Sequence, residues 1–580
     1  MTALNTGNRT AALTAMSDDR GLDVLIIGGG VTGAGIALDA ATRGLRVGVV
    51  EAQDWGAGTS SRSSKLVHGG LRYLQMLDFK LVSEALGERG LLLDRLAPHL
   101  VRAVPFLYPL TKWYERPWVG AGIGLYDALA TFGTRNRAVP LHRHVSRRGV
   151  REEFPGIKAS VCRGAVRYYD GQVDDARLVI SLIRTAVQLG TFAASRTEVV
   201  SLLKETSGRV PGAVVRDLES GAEHTVKSRT VINATGVWTE HTQKLATADG
   251  LKVLASKGIH IVVPRERIAG TSGIILQTEK SVLFLIPWSR YWVIGTTDTA
   301  YHGDLTQPVA NNADIDYVLD HANAILADPL TRDDVIGTWA GLRPLLQPVT
   351  QGDQKSSTKV SREHTVTEAA PGLISIAGGK LTTYRVMGED AVDFALGPQR
   401  AAELPSETAT TPLIGAAGYH AYARRAPEIA RTYGWTDAMV AHLLHRYGSA
   451  LPELLELVDS QPDLGRPITG AEAYLRAEIV YGVTHEGALH LEDVMTIRTR
   501  LTYEVRDHGL AAVEEIADLM ALALGWDEAR RRSELDAYRA RSAAEDAAAA
   551  APDDAAAEQA RRRVGDVLAD LPGAEVMTLA

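Results

Sequence analysis

Apolar and polar positions along this chain fall into three successive patterns: short apolar runs divided by glycine, then strand-like alternation, then a long helical periodicity. The first is clearest in residues 22–54, LDVLIIGGGVTGAGIALDAATRGLRVGVVEAQD, where Val24 to Ile27 reads as a buried strand. Gly28, Gly30 and Gly33 follow as G-x-G-x-x-G, with the small residue Ala37 where the next helix must lie close to the sheet. A second apolar run, Leu45 to Val50, returns as a parallel strand and ends in Glu51, about 20 residues past the glycines. The order of strand, glycines, helix, strand and acid predicts a dinucleotide-binding βαβ unit. Gly28 permits the tight turn, Gly30 admits a pyrophosphate to the backbone, and Gly33 lets the helix pack closely.

Residues 79–96 carry an apolar helical stripe that Pro98 stops, and 108–133 place Trp113, Tyr114 and Trp118 among Lys112 and Arg116 ahead of a Gly-rich apolar helix. At 166–179 an aromatic strand passes through Asp170-Gly171 into a helix, whose first turn Asp174 and Asp175 are expected to cap. Residues 197–206 and 212–218 alternate like a hairpin, and Val226 to Ile232 leads into the tight turn 233-NATG-236. The segment 251–345 predicts a β-rich layer with strands at 259–263, 282–286 and 291–295, the last closed by Thr296-Thr297-Asp298, then a helix over 311–328. A strand, the glycine pair Gly378-Gly379 and a helix occupy 373–392, and beyond residue 400 helices are predicted over 420–458, 470–481, 491–506 and 510–524.

The fold class expected is α/β plus α: a discontinuous Rossmann-like domain, a β-rich substrate domain and a helical C-terminal domain. The cofactor domain is assigned to 21–98, 161–245 and 351–399, the substrate domain to 246–350 and the helical domain to 400–535. Residues 99–160 are expected as a helical subdomain facing membrane or substrate, 1–20 as a disordered tail, and 536–580 as a polar helical or partly disordered tail. With 580 residues the chain is too long for one core. Its formal net charge of −8 argues against a general nucleic-acid surface. A single cysteine, Cys162, excludes an intramolecular disulfide and a multi-cysteine metal site, and neither H-E-x-x-H nor a Cys/His cluster occurs, so no metal is expected. The polar first 20 residues lack the order of a signal peptide, and no uninterrupted 18-residue apolar span is present, which places the protein in the cytoplasm. Peripheral membrane contact through the aromatic and basic residues of 108–133 stays open beside a core role for the same segment.

Chemistry concentrates in three stretches. Gly28, Gly30, Thr32 and Gly33 would meet a pyrophosphate and Glu51 a ribose diol, without separating NAD from FAD. In 56-GAGTSSRSSKLVHGGLRYL-74 the hydroxyls of Ser60, Ser61, Ser63 and Ser64 are placed to bond pyrophosphate or a flavin edge, with Arg72 and Tyr73 available to a substrate. The glycine pair before Lys380 is a second site where backbone N–H groups and a helix N-terminus can meet a cofactor.

Together, 28-GGGVTGAGIALDAATRGL-45, 59-TSSRSSKLVHGGLRYL-74, 256-SKGIHIVVPR-265, 294-IGTTDT-299, 341-GLRPL-345, 378-GGKLTTYR-385 and 484-THEGALHLEDVMTIRTRL-501 resemble the FAD-dependent, respiratory-type glycerol-3-phosphate dehydrogenases of bacteria and mitochondria. The likeness spans residues 22–530. It implies noncovalent FAD, oxidation of sn-glycerol 3-phosphate to dihydroxyacetone phosphate, and electrons passed to a membrane quinone. It also implies Lys65, His68, Gly69, Gly70, Ala234, Gly236, Gly379, Lys380, Leu381 and Thr382 as cofactor contacts. Arg72, Arg343 and Lys380 become substrate anchors, and His260, Asp298 and Arg362 the other polar groups near the reacting end. The form 361-SREH-364 departs from the family pattern around Arg362. Histidine suits removal of a hydroxyl proton at neutral pH, with His260 first and His68 second. Asp298 either orients a histidine, bonds substrate or caps a turn. The alternatives are a flavin oxidase using oxygen on glycerol 3-phosphate or an amine, an NAD-linked dehydrogenase, and a flavin-binding scaffold whose C-terminal helices recruit a partner. Contact with anionic lipid and a homodimer are left open.

Overall fold

The computed structural model describes residues 3–70, 79–112, 115–133, 139–247, 250–279, 282–347, 364–562 and 564. Helix α1 (Thr6–Met16) occupies the segment expected to be a disordered tail. Asn5 caps it by accepting from Asn8 N, Leu13 and Met16 are buried, and Arg9 donates to Ser195 O (2.8 Å) and pairs with Asp217. Three docking residues spaced along a polar helix are too sparse a stripe to announce themselves.

After α1 come β1 (Leu22–Ile27), α2 (Val31–Thr42), β2 (Val47–Val50), β3 (Leu66–Val67), α3 (Phe79–Leu91), β4 (Val101–Leu110), α4 (Glu115–Gly133), β5 (Arg143–Ser146) and β6 (Gly164–Val173). Next are α5 (Asp175–Gln188), β7 (Phe192–Ala194), β8 (Thr197–Leu202), β9 (Gly212–Asp217) and β10 (Glu223–Asn233). The middle of the chain supplies β11 (Val253–Pro264), β12 (Gly273–Gln277), β13 (Val282–Trp288), β14 (Tyr291–Gly295), β15 (Thr299–Ala300), α6 (Asn312–Asn323) and β16 (Gly337–Leu346). Then β17 (Thr365–Ala370), β18 (Leu373–Ala377) and α7 (Tyr384–Glu403) return to the first layer.

One sheet has the order β17-β18-β10-β1-β2-β7, with the β8–β9 hairpin paired to β10. β1 pairs in parallel with β2 on one side and β10 on the other, so the strand order reverses at β1 and opens a crevice beyond its C-terminal end. Two glycines let α2 and α7 cross closely: a Cβ on Gly388 would lie 2.8 Å from the Gly35 carbonyl carbon.

The second sheet has the order β15-β11-β14-β13-β12-β4-β6-β3, with β16 on β11 and β5 on β6. This corrects the expected boundaries. β4 and β6 pair along their whole length, Val101↔Val173 to Leu110↔Gly164, so residues from 99–160 and 161–245 belong to the substrate layer. Pro105 and Pro109 inside β4 masked that strand, because proline argues against a sheet interior.

The C-terminal domain contains α8 (Asp437–Tyr447), α9 (Leu451–Ser460), α10 (Arg476–Thr484), α11 (Val513–Leu524), α12 (Glu528–Ala549) and α13 (Asp554–Arg562). The helix expected over 470–481 begins instead as a strand, Ala471–Leu475. The expected tail from 536 is continuous with α12, and α13 docks back on the substrate layer, where Asp554 takes the buried Lys257 and accepts from Asn311 Nδ2 at 2.6 Å. A charged helix became anchored because its partners, Lys257 and Asn311, lie far upstream in sequence.

Buried ion pairs join this domain to the first layer, among them Arg196–Asp493 (2.8 Å) and Arg498–Asp54. His490 is fully buried between Glu534 on Nδ1 and Glu219 on Nε2, both at 2.8 Å, with Arg530 alongside. Burial and Arg196 oppose its charge, but the two carboxylates prevail and lift its pKa to about 9. A histidine pKa raised above its unfolded value near 6.5 stabilises the fold fully below pH 6.5, and that stabilisation disappears as pH rises through 9. The effect is on the order of 3 kcal/mol. Thermal melts of the unsubstituted protein and of His490→Gln should therefore differ at pH 6.5 and converge above pH 9.

Candidate functional site

A cavity of about 1690 Å3 lies between the two sheets, at the crevice beyond β1. Its floor is the glycine turn. Gly28 has φ +108° and sits where a Cβ would come 2.7 Å from Ala234 O, while a Cβ on Gly33 would lie 1.9 Å from Gly28 O. Gly28, Gly30 and Thr32 line the cavity; Gly33 works from behind, as helix packing requires. Gly30 begins α2 with no side-chain cap from its own position, and Val31 N instead donates to Ser60 Oγ (2.9 Å). Glu51 lines the cavity at the end of β2, where its carboxylate accepts Gly29 N (2.6 Å) and Gln53 N (2.7 Å). Burial pushes the Glu51 pKa up, and these two N–H groups act against that.

The loop after β2 divides its polar residues between two environments. Ser60, Ser63, Ser64 and His68 line the cavity. Ser61 and Lys65 do not, which corrects their assignment as cofactor contacts: Lys65 Nζ turns inward to Asp175 Oδ1 (2.8 Å) and Ser61 O (3.0 Å) and lies 4.7 Å from the Trp339 ring centroid. A buried carboxylate offers that ammonium a stronger partner than the cavity wall does. Burial, followed by Arg500, lowers the Lys65 pKa to about 8. Gly69 and Gly70 also fall outside the lining; Gly69 N donates to Tyr126 Oη (2.8 Å), and Gly70 has φ +72°.

Ala234 and Gly236 after β10, and Gly379, Lys380, Leu381 and Thr382 after β18, line the same cavity. His68 N donates to Thr382 Oγ1 (3.1 Å), which ties the first loop to the last.

Opposite stands the central part of the second sheet. β11 pairs with β14 and β16 so that His260 faces Gly295 and Trp339, and Ser256 faces Arg343. Along β16 Trp339, Gly341 and Arg343 fall on one face; Gly341 and Arg343 line the cavity, whereas Trp339, which motif reading did not single out, is outside the lining and supports His260 from behind. The pair Gly258↔Gly341 makes room: a Cβ on Gly258 would lie 2.4 Å from Arg343 Nη2. Arg343 lines the cavity while Nη2 donates to Thr296 Oγ1 (3.0 Å) and Thr297 O (3.1 Å), with Nη1 3.5 Å from Asp298 Oδ1. Asp298, which also accepts from Ser256 Oγ, is outside the lining.

His260 is 2% exposed, stacked on Trp339 at 5.2 Å, and its Nε2 shares a hydrogen bond with Ser64 Oγ (2.8 Å). Its Nδ1 has no hydrogen-bond partner among the described residues. Burial first, then Arg343 and Lys65, hold its pKa well below the usual value, so the imidazole is neutral at neutral pH. The structure thus brings His260, Arg343 and Lys380 to one cavity. Arg72, Tyr73 and Arg362 lie outside the described residues. Asp175, expected as a cap beside Asp174, is the inward partner of Lys65 and Ser63, while Asp174 does cap α5 by accepting from Arg177 N (3.2 Å).

Residues 23–385 match the model of the FAD dependent oxidoreductase family, and 406–531 match that of the C-terminal domain of alpha-glycerophosphate oxidase. Glycerol-3-phosphate dehydrogenase 2 of Mycobacterium tuberculosis is 49% identical over 545 residues, 94% of this chain and 92% of that one. The mitochondrial glycerol-3-phosphate dehydrogenase of Homo sapiens is 35% identical, over 92% of this chain and 74% of its own. The crystal structure of glycerol-3-phosphate dehydrogenase from Bacillus halodurans complexed with FAD superposes with a TM-score of 0.74 at 29% identity, covering 92% of this chain and 97% of that one. The cradle here fits FAD: the side-chain-free turn at Gly28 and Gly30, the start of α2 and the volume suit a dinucleotide. A Gly33→Ala substitution places carbon on the Gly28 carbonyl and should lower both melting temperature and FAD content. Gly30→Ala meets only Ser60 Oγ at 3.1 Å and should keep the fold while releasing FAD more readily, as measured by flavin fluorescence after dilution.

Proposed function

The chain belongs to the FAD-dependent oxidoreductase family, and from that premise we propose that it oxidises sn-glycerol 3-phosphate to dihydroxyacetone phosphate. The observation that carries the reading is one cavity that an FAD cradle shares with Arg343, Lys380 and the neutral imidazole of His260. Bound FAD supplies the hydride acceptor for the C2 hydrogen of the substrate.

Arg343 and Lys380 hold the phosphate dianion, Arg343 through a guanidinium fork already fixed by Thr296, Thr297 and Asp298. Arg72, Tyr73 and Arg362 complete the substrate side of the proposal. His260 takes the C2 hydroxyl proton. The Ser64 hydroxyl on Nε2 fixes the orientation of the ring for that task. Arg343 lowers the basicity of His260, so a dianion seated on Arg343 offsets that effect and makes the imidazole a better base once substrate has arrived.

The acceptor of the electrons is proposed to be a membrane quinone, with the protein peripheral on the cytoplasmic face of the membrane. Among the described residues no helix is long and apolar enough to cross a membrane. Phe79 of α3 and Leu125 of α4 are exposed, and α4 belongs to the tryptophan-bearing segment 108–133 from which a lipid contact is proposed.

Anaerobic mixing with glycerol 3-phosphate should bleach the flavin absorbance. Arg343→Ala should raise the half-saturating substrate concentration about 100-fold, the loss of a charge-assisted bond pair. His260→Gln should slow bleaching by about 10²-fold or more while the protein stays yellow. Reoxidation by a short-chain quinone without peroxide supports the dehydrogenase, whereas stoichiometric peroxide in air would favour the oxidase. Co-sedimentation with anionic vesicles should weaken when Trp113 and Trp118 are replaced by alanine.

A further inference from the structure

Arg500 of the C-terminal domain is connected to the reacting end of the cavity without lining it. It sits in a left-handed conformation, φ +92°, directly after the wide helical turn Val494–Thr499, and is buried. Its guanidinium donates from Nε to Asp174 Oδ2 (3.1 Å), and from Nη2 to Asp174 Oδ1 (2.7 Å) and Asp175 Oδ1 (2.6 Å).

Asp175 passes the constraint on. Its Oδ2 accepts both Ser63 N (3.1 Å) and Ser63 Oγ (2.7 Å), and its Oδ1 accepts Lys65 Nζ. Ser63 Oγ in turn accepts Lys65 N (2.9 Å), and Lys65 has φ +58°, a conformation a lysine keeps only where its surroundings enforce it. Both neighbours of Ser64 are therefore fixed by one carboxylate. The hydroxyl between them meets His260 Nε2. A second contact comes from the same segment: Tyr503 packs edge-on against Trp339 at 5.6 Å, and Trp339 is the ring stacked on His260.

Not every ion pair between these domains reaches that turn. Arg184, for example, holds Glu453 (2.9 Å) and Tyr481, far from the serine turn. Such pairs dock the domain. Arg500 docks it and also fixes the turn that carries Ser64.

We infer that Arg500 is a positioning residue for His260: acting through Asp175, it holds the Ser63–Lys65 turn so that the Ser64 hydroxyl keeps its hydrogen bond to Nε2 and fixes the orientation of the imidazole. The inference rests on the assignment of His260 as proton acceptor. It gives the C-terminal helical domain a part in the chemistry, and makes the two ends of the chain interdependent for turnover.

The test uses the full-length FAD-loaded protein and anaerobic stopped-flow reduction by glycerol 3-phosphate, with Arg500→Met, Arg500→Lys, Ser63→Ala, Ser64→Ala, the Arg500→Met/Ser64→Ala double variant and Arg184→Gln. Arg500→Met should lower the limiting reduction rate about 10- to 100-fold, the cost of misplacing a reacting group by about an ångström, with substrate Kd changed less than about twofold. Ser63→Ala should lower the rate in the same sense, and Arg500→Lys should recover part of it. The double variant should be no slower than the slower single, because both substitutions break one chain of contacts. Arg184→Gln should lower melting temperature and leave the reduction rate unchanged.

Full additivity in the double variant, or a wild-type reduction rate in Arg500→Met, would overturn the inference alone. If Arg500→Met does not fold, the Ser63→Ala and Arg500→Lys rates decide: wild-type rates in both overturn it, and slowed rates with retained FAD support it. Flavin of the unsubstituted protein that glycerol 3-phosphate leaves oxidised would overturn the substrate assignment and the inference with it.

Discussion

The close approach of Gly33 to the Gly28 carbonyl is the constraint on which the rest of the molecule is built. A strand can hand over directly to a helix, and the helix can point its unpaired N–H groups into a cavity, only where no Cβ intervenes. Here a single carbon at either position would meet backbone. Because that turn is fixed, the crevice beyond β1 is fixed, and the loops after β2, β10 and β18 all end on it. The loop at Ser60 then satisfies the first helical N–H, and the Thr382 hydroxyl ties the last loop to His68.

Charge follows the same geometry. Arg343 and Lys380 line one cavity with an imidazole that is kept neutral, first by burial and then by the positive guanidinium of Arg343, which disfavours a second positive charge. Lys65 is the exception that clarifies the rule. It has the residue type of an anion ligand and the sequence position of a cofactor contact, yet it is withdrawn from the cavity by the buried carboxylate of Asp175, which it shares with Arg500. Its role is to shape the backbone that presents Ser64.

Much of this was legible in the chain because it is local. The glycine turn, Glu51, the glycine pair before Lys380 and the period-two strands at His260 and Arg343 each declare themselves within about a dozen residues. What was not legible depends on partners distant in sequence. Asp175 looks like a helix cap until Lys65 and Arg500 are brought to it, and α13 looks like a solvated tail until Lys257 meets Asp554. β4 was hidden by its own prolines and is recognised as a strand only through its ten-residue pairing with β6. Family likeness named Lys65 and Asp298 as site residues. The coordinates give both of them supporting places one layer back from the cavity.

The interleaving of the two sheets has a consequence for biosynthesis. β1 and β2 leave the ribosome early, but β10, which pairs with β1, and β18, which pairs with β10, are encoded roughly two hundred and three hundred and fifty residues later. The second layer is likewise incomplete until β16, which covers the His260 strand, has been translated. At ordinary elongation speeds the apolar edge of β1 would stay uncovered for tens of seconds. During that interval the unpaired backbone groups of the strand are open to pairing with other extended segments, so late strands decide when the early ones are protected.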